Sequence, residues 1–178
     1  MANTKKSPAP DAIALLKADH RKVEELFEKY ENAKGKKADI AQQICLELTV
    51  HATIEEEIFY PACKEAVEDD KLDEAYVEHD GAKQLIAEIS AGTPADEFYD
   101  AKVKVLSEEI KHHVKEEEMR DGIFAQAKAS ELDLDALGEQ MAARKEELMA
   151  QFKSQGLPVP TTRSMKGIAL KVGEPVDA

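Results

Sequence analysis

The sequence predicts an all-α protein: an antiparallel up-down-up-down four-helix bundle with an additional C-terminal helix and flexible tails. Three observations carry that prediction. Ala, Leu, Glu and Lys dominate, with 8 Gly and no Trp in 178 residues, a mixture that favours helix over strand. Apolar residues recur at alternating steps of three and four, the period of a helix with one buried face. The periodic segments are joined by short connections, which place successive helices antiparallel.

The elements follow in order. Residues 1–10 form a polar N-terminal tail, "NTKKSPAP", with two prolines. The first helix is expected from Asp11 to Asn32, stopping before "KGKK". The second runs from Ala38 to Asp69, with Pro61 expected to kink or interrupt it. The third covers Leu72 to Ser90 and ends at "AGTP"; the fourth covers Ala95 to Lys128. The bundle thus occupies residues 11–128. A fifth helix follows within 129–154, with Leu134, Leu137, Met141, Leu148 and Phe152 on one face and Arg144 breaking it. That face suits packing on the bundle better than a dimer contact, and nothing in the sequence calls for a homodimer. Residues 155–178 mix Gly, Pro and Thr without helical period and read as a disordered tail.

Composition narrows the function. The net charge is −13, and the two ends carry +2 and +1, so the interior stands at −16. Such a surface repels phosphate backbones and anionic lipid, which excludes nucleic acid and membrane partners and leaves cations open. No apolar run is long enough to span a bilayer, and the N-terminus lacks the apolar stretch of a secretory signal. Cys45 and Cys63 lie 18 residues apart on one expected helix. At the usual rise that is roughly 27 Å, too far for a disulfide. Two free thiols suit a reducing cytoplasm.

The histidines decide more. "HATIEEE" begins at His51 and "HHVKEEE" at His112, nearly the same word in a chain with five histidines. The apolar stripe of the first helix reads Leu16, His20, Val23, Phe27, Tyr30. The second reads Ile44, Leu48, His51, Glu55, Ile58, Ala62. The third reads Leu72, Tyr76, His79, then Ala82 or Lys83, then Ile86; the fourth reads Val103, Leu106, Ile110, His113, Glu117. Each stripe carries one histidine, and two carry a glutamate as well. A single core histidine is ordinarily a hydrogen-bonded packing residue, and a lone HxxxE means little in a Glu-rich helix. Four histidines on four stripes with two such words are another matter. A carboxylate buried without a partner costs several kcal/mol, and no arginine lies on the stripes. Metal ions would compensate the charge directly, and residues at i, i+4 project to one side of a helix. Register selects His113 and Glu117 over His112 and Glu116, whose stripe is largely polar, and it leaves Glu24 solvated.

Four motifs in this order resemble the hemerythrin-like domain, also called the HHE cation-binding domain. They are "LLKADHRKVEELFEKYENA", "HATIEEEIFYPA", "VEHDGAKQLIAEI" and "IKHHVKEEE", and the resemblance spans residues 11 to 128. It implies two non-haem iron ions held by His20, His51, Glu55, His79, His113 and Glu117, bridged by an oxygen species and by Glu55 and Glu117. It also implies a protein that binds or senses O2, NO, peroxide or iron itself. The alternatives are an enzyme with catalase/peroxidase-like or NO-reducing activity, and a protein of iron handling or iron–sulfur repair. Two positions depart from the family pattern. Lys83 stands where the oxygen carriers have a further histidine, and "EEEMRDGIF" places its aromatic residue late. Lys83 would snorkel out of the bundle or present a cation near the centre. Tyr30, Tyr60 and Tyr76 could border the centre, although tyrosines on a stripe ordinarily pack with a polar tip. A ferritin-like site needs Glu-x-x-His on two helices, and Glu109 with His112 is the one such pair in the bundle, off the stripe. A closed tetrahedral zinc site fits six carboxylate-bridged ligands less well than paired iron.

Overall fold

The computed structural model of the chain describes residues 9–165; the first eight residues and 166–178, with the tail expectations that fall on them, lie outside the described residues. The helices are α1 (Ala12–Asn32), α2 (Lys37–Ile54), α3 (Tyr60–Cys63), α4 (Asp69–Ala91), α5 (Tyr99–Glu118), α6 (Ile123–Ala129) and α7 (Leu134–Gln155). A π-helical turn, Glu55–Phe59, joins α2 to α3. Helices α1, α2, α4 and α5 form the four-helix bundle: each packs on the next, and α1 meets α5 to close the square. Asp11 caps α1 by accepting from the Ala14 N–H at 2.8 Å, and Asp133 caps α7 through Ala136 N–H at 3.0 Å.

Besides shifts of a few residues where α4 and α5 begin, at Asp69 and Tyr99 rather than Leu72 and Ala95, three features differ from the sequence expectation. The second helix is widened just before Pro61, the Tyr60 N–H reaching back to the Glu55 carbonyl, and it ends at Cys63 rather than Asp69. One residue more per turn then shifts the buried stripe from Ile58 and Ala62 to Phe59 and Cys63. The fourth helix is divided after Glu118, because the chain folds back on its own end. A Cβ on Gly122 would stand 2.2 Å from the Glu116 carbonyl oxygen, so only glycine allows that approach. The third difference is the segment 156–165, which the sequence assigns to a disordered tail. It instead runs as a strap over the bundle. Asp80, fully buried on α4, accepts from the N–H groups of Arg163, Ser164 and Met165 and from the Ser164 hydroxyl, at 2.6–3.2 Å. Thr161 accepts from Lys83, and the Arg163 guanidinium lies 4.1 Å over the Tyr76 ring. Ordering follows from satisfying a buried carboxylate, which composition does not reveal.

Helix α7 lies against α1 and α2, burying Gly138, Met141, Leu148 and Phe152. At Gly138 a Cβ would be 2.2 Å from the Pro10 carbonyl oxygen, which is how closely α7 abuts the start of α1. The core is divided into two apolar clusters. One holds Leu16, Val50, Ile54, Phe59, Ala75 and Met141; the other holds Val23, Phe27, Leu48, Ala82, Ile86 and Leu106. Between Leu16 and Val23, Leu48 and Ile54, and Ala75 and Ala82, each helix contributes a histidine. The bundle therefore carries a polar layer across its middle. Among the described residues no helix is long and apolar enough to cross a membrane.

Candidate metal centre

All six residues selected by register meet in that layer. His20 from α1 faces His51 from α2 with their Nε2 atoms 3.2 Å apart; His79 from α4 faces His113 from α5 at 3.2 Å. The glutamates tie the two pairs together. Glu55 Oε2 lies 3.1 Å from His51 Nε2 and 3.4 Å from His79 Nε2. Glu117 Oε2 lies 3.3 Å from His20 Nε2 and 3.6 Å from His113 Nε2. Each carboxylate thus stands between one imidazole of each pair. Two donor groups result, His20, His51, Glu55 and Glu117 in one, and Glu55, His79 and His113 in the other, sharing Glu55. Every member is buried.

The outer ring nitrogens explain which way the imidazoles work. His20 Nδ1 bonds Glu118 at 2.8 Å, His79 Nδ1 bonds Glu56 at 3.0 Å, and His113 Nδ1 bonds Glu78 at 2.7 Å. His51 Nδ1 faces Asp19 at 3.6 Å, beyond direct bonding distance. A carboxylate accepts the hydrogen bond of a protonated outer nitrogen, which leaves the Nε2 lone pair aimed inward, the arrangement that orients and strengthens a histidine ligand. These carboxylates are braced in turn: Glu118 by Arg21 and Lys17, Glu56 by Lys83, and Asp19 by Lys145. Sequence reasoning missed all four. Each adjoins a residue of the centre in sequence yet serves a histidine on another helix: Asp19 next to His20 faces His51, and Glu56 next to Glu55 holds His79. Adjacency was the available signal, and the acidic runs hid it.

Lys83 neither snorkels into water nor reaches the imidazoles; its ammonium sits on Glu56 and Asp80 at 2.7 and 3.3 Å. His112 is largely exposed, near Glu78 and Glu116. Of the three tyrosines, Tyr60 reaches the centre, its hydroxyl donating to Glu117 Oε1 at 2.9 Å. Tyr30 bonds Asp100 and Tyr76 lies under Arg163. The late aromatic of the fourth motif also finds its place: α6 brings Phe124 parallel to the His20 ring, 5.7 Å between centroids.

Electrostatics test whether a cation suits the layer. Neither oxygen of Glu55, nor Glu117 Oε2, has a hydrogen-bond partner, although all are buried. Burial, reinforced by the charge of Glu117, pushes the Glu55 carboxyl well above its ordinary range. Glu117 is held low against its burial by His113 and His20. Burial brings His51 down to about 4 and lowers His79 as well. His113 is raised, because Glu117 and Glu78 outweigh its burial. Without a cation the layer therefore keeps its charge in check by holding protons. Four imidazole nitrogens with two carboxylates are a donor set that first-row transition metals accept, and a cation would satisfy the orphaned oxygens directly. The residues fit the group.

Comparison with known proteins agrees. The chain is 31% identical over 106 residues to a protein named DNA nickase from Nostoc sp., covering 58% of this chain and spanning 30% of that protein's length. A solved structure of a hemerythrin HHE cation binding domain-containing protein from Mycobacterium kansasii superposes with a TM-score of 0.70 at 25% identity, covering 83% of this chain and 95% of that one. The family model of the hemerythrin HHE cation binding domain matches residues 11–127. With its bundle, its layer of four histidines and that match, the chain belongs to the hemerythrin HHE cation binding domain family.

Proposed function

We propose that the protein holds two iron ions in the histidine layer and uses them to bind or sense a small ligand such as O2, NO or peroxide. His20 and His51 would hold one ion, His79 and His113 the other, with Glu55 and Glu117 contributing to both. Iron there supplies open coordination positions and a reversible change of charge. One observation carries the reading: each glutamate lies between imidazoles of both pairs, with carboxylate oxygens left without any partner. A single closed site would not call for a carboxylate shared in this way.

The chain's own residues do the rest. Glu118, Glu56 and Glu78 fix three imidazoles in the tautomer that points Nε2 inward. Tyr60 holds one oxygen of Glu117 and leaves the other free. Phe124, Phe59 and Tyr60 close one side of the layer against water. The nickase name belongs to a protein of which this chain spans 30%, and a net charge of −13 opposes a phosphate-backbone partner.

The test is metal content per chain after expression with ample iron, with the visible spectrum recorded before and after reduction. Two irons per chain and near-ultraviolet bands that bleach on reduction and return in air are expected, with NO and peroxide then added in turn. One ion per chain, or zinc under the same conditions, would overturn the reading.

A further inference from the structure

A cavity of about 490 Å³ lies beside the histidine layer, and all four imidazoles border it. A diatomic molecule needs a small part of that space. An apolar cavity of about 150 Å³ already admits benzene, and pockets of roughly 300–1,000 Å³ hold sizeable organic molecules. The walls have two sources. The bundle supplies Val23, Leu48 and Ile86; α7 and the strap supply Leu148, Phe152 and Leu157. The second set lies outside residues 11–127, so the family bundle alone does not make this enclosure. Its roof is held by the four hydrogen bonds to Asp80, whose other oxygen accepts from Lys83.

Charge on the wall selects the occupant. Glu56 is paired with Lys83, Glu57 with Arg144, and Asp19 with Lys145, while Arg163 turns its guanidinium over the Tyr76 ring. Thr49 and Thr53 donate their hydroxyls to carbonyls of their own helix, at 2.7 Å each. Most polar groups of the wall are committed to one another, Asp19 Oδ2 and His51 Nδ1 keep no hydrogen-bond partner, and the larger part of the remaining surface is apolar. We propose that this cavity binds a neutral, largely apolar organic molecule, larger than benzene, and holds it against the four imidazoles. The inference deepens the reading of the histidine layer as a metal centre, because it names the class of molecule brought to that layer.

The full chain, carrying its metal as purified, would be titrated by calorimetry with 1-octanol and separately with octanoate, which has the same length but is charged. One saturable octanol site, octanoate at least tenfold weaker, and a negative heat-capacity change are expected. Two variants add bulk at lining positions that are neither histidines of the layer nor their partners, Ala87→Phe on α4 and Gln151→Phe on α7. Each should weaken octanol at least tenfold at unchanged metal content. No saturable octanol binding, octanoate as tight as octanol, or two folded variants that bind as well as the parent would each overturn the proposal. Metal analysis of the same samples separates the two readings. Octanol binding without iron removes the di-iron centre and keeps the cavity, whereas iron without octanol binding removes the cavity alone.

Discussion

Replacing Glu55 with glutamine should make the metal-free protein more stable and the iron-loaded protein less so. Both oxygens of Glu55 are fully buried without a hydrogen-bond partner. Leaving a buried polar group unsatisfied costs about 1–3 kcal/mol, and more for a charged one. Glutamine keeps the shape and stays neutral without having to bind a proton. Burial and the Glu117 carboxylate raise the Glu55 carboxyl well above its ordinary value. The folded chain therefore binds this proton more tightly than the unfolded chain, whose glutamate titrates near ~4.3. The sign follows. The contribution of Glu55 is fully present below about pH 4.3 and is lost as pH rises towards the folded value, at up to about 1.4 kcal/mol per pH unit.

Glutamine has no proton to lose, so its advantage over the parent should grow with pH. A difference of about 2 kcal/mol at pH 7 corresponds to roughly 4–8 °C in Tm for a chain of this size. Bound iron, as proposed, should reverse the order, because a ligand that binds the folded state stabilises it by more the tighter it binds, and a neutral amide oxygen is a poorer ligand. The assay is thermal unfolding of both proteins at pH 5 and pH 7, with iron and after chelation. Two results would refute the reasoning: an advantage that does not change with pH, or a metal-free parent more stable than the variant at pH 7.

The other predictions are shorter. Glu78→Ala removes the 2.7 Å bond to His113 Nδ1 and should weaken metal binding about 10–100-fold in chelator competition, while His112→Ala, at the exposed side of the same glutamate, should leave it unchanged. Gly122→Ala should cost about 1–3 kcal/mol in urea unfolding and also reduce metal content, because its Cβ meets the carbonyls of Glu116 and Glu117 at 2.2 and 2.6 Å. Asp80→Ala should raise hydrogen exchange at Arg163, Ser164 and Met165 and leave the bundle protected. Acid should do the same to the parent. Although burial raises it, Ser164 and the strap N–H groups hold the Asp80 carboxyl below its ordinary value. Its contribution is therefore present above about pH 3.9 and is lost as pH falls through the folded value.

The bundle and the six residues of the layer were legible because one signal specifies both. A stripe at helical period says which residues face inward, and His20, His51, His79 and His113 sit on the stripes in phase with leucines and valines. The π-helical turn was not legible. Pro61 announces that something must give, but a kink, a break and a widened turn all answer a missing N–H. The outer carboxylates were hidden for another reason. Asp19, Glu56, Glu78 and Glu118 look like solvated acids until the neighbouring helix is in place, because what distinguishes them is a histidine elsewhere in the chain. The strap is the extreme case, ordered by an aspartate more than eighty residues earlier.

The π-helical turn and the outer carboxylates share a physical role: each supports a layer that weakens the fold. Four imidazoles and two carboxylates across the middle of a bundle split its core in two and leave three carboxylate oxygens unsatisfied. Such an arrangement persists only if its surroundings over-determine it. The apolar clusters on either side do so, and α7 extends one of them with Met141, Leu148 and Phe152. The outer carboxylates hold the rings, the π-helical turn places Phe59 and Tyr60 against the layer, and Gly122 lets α6 bring Phe124 onto His20. A ring fixed in this way needs no rearrangement when a cation arrives. The stability surrendered in the metal-free layer is returned as metal affinity, and the Glu55→Gln comparison measures both sides of that exchange in one protein.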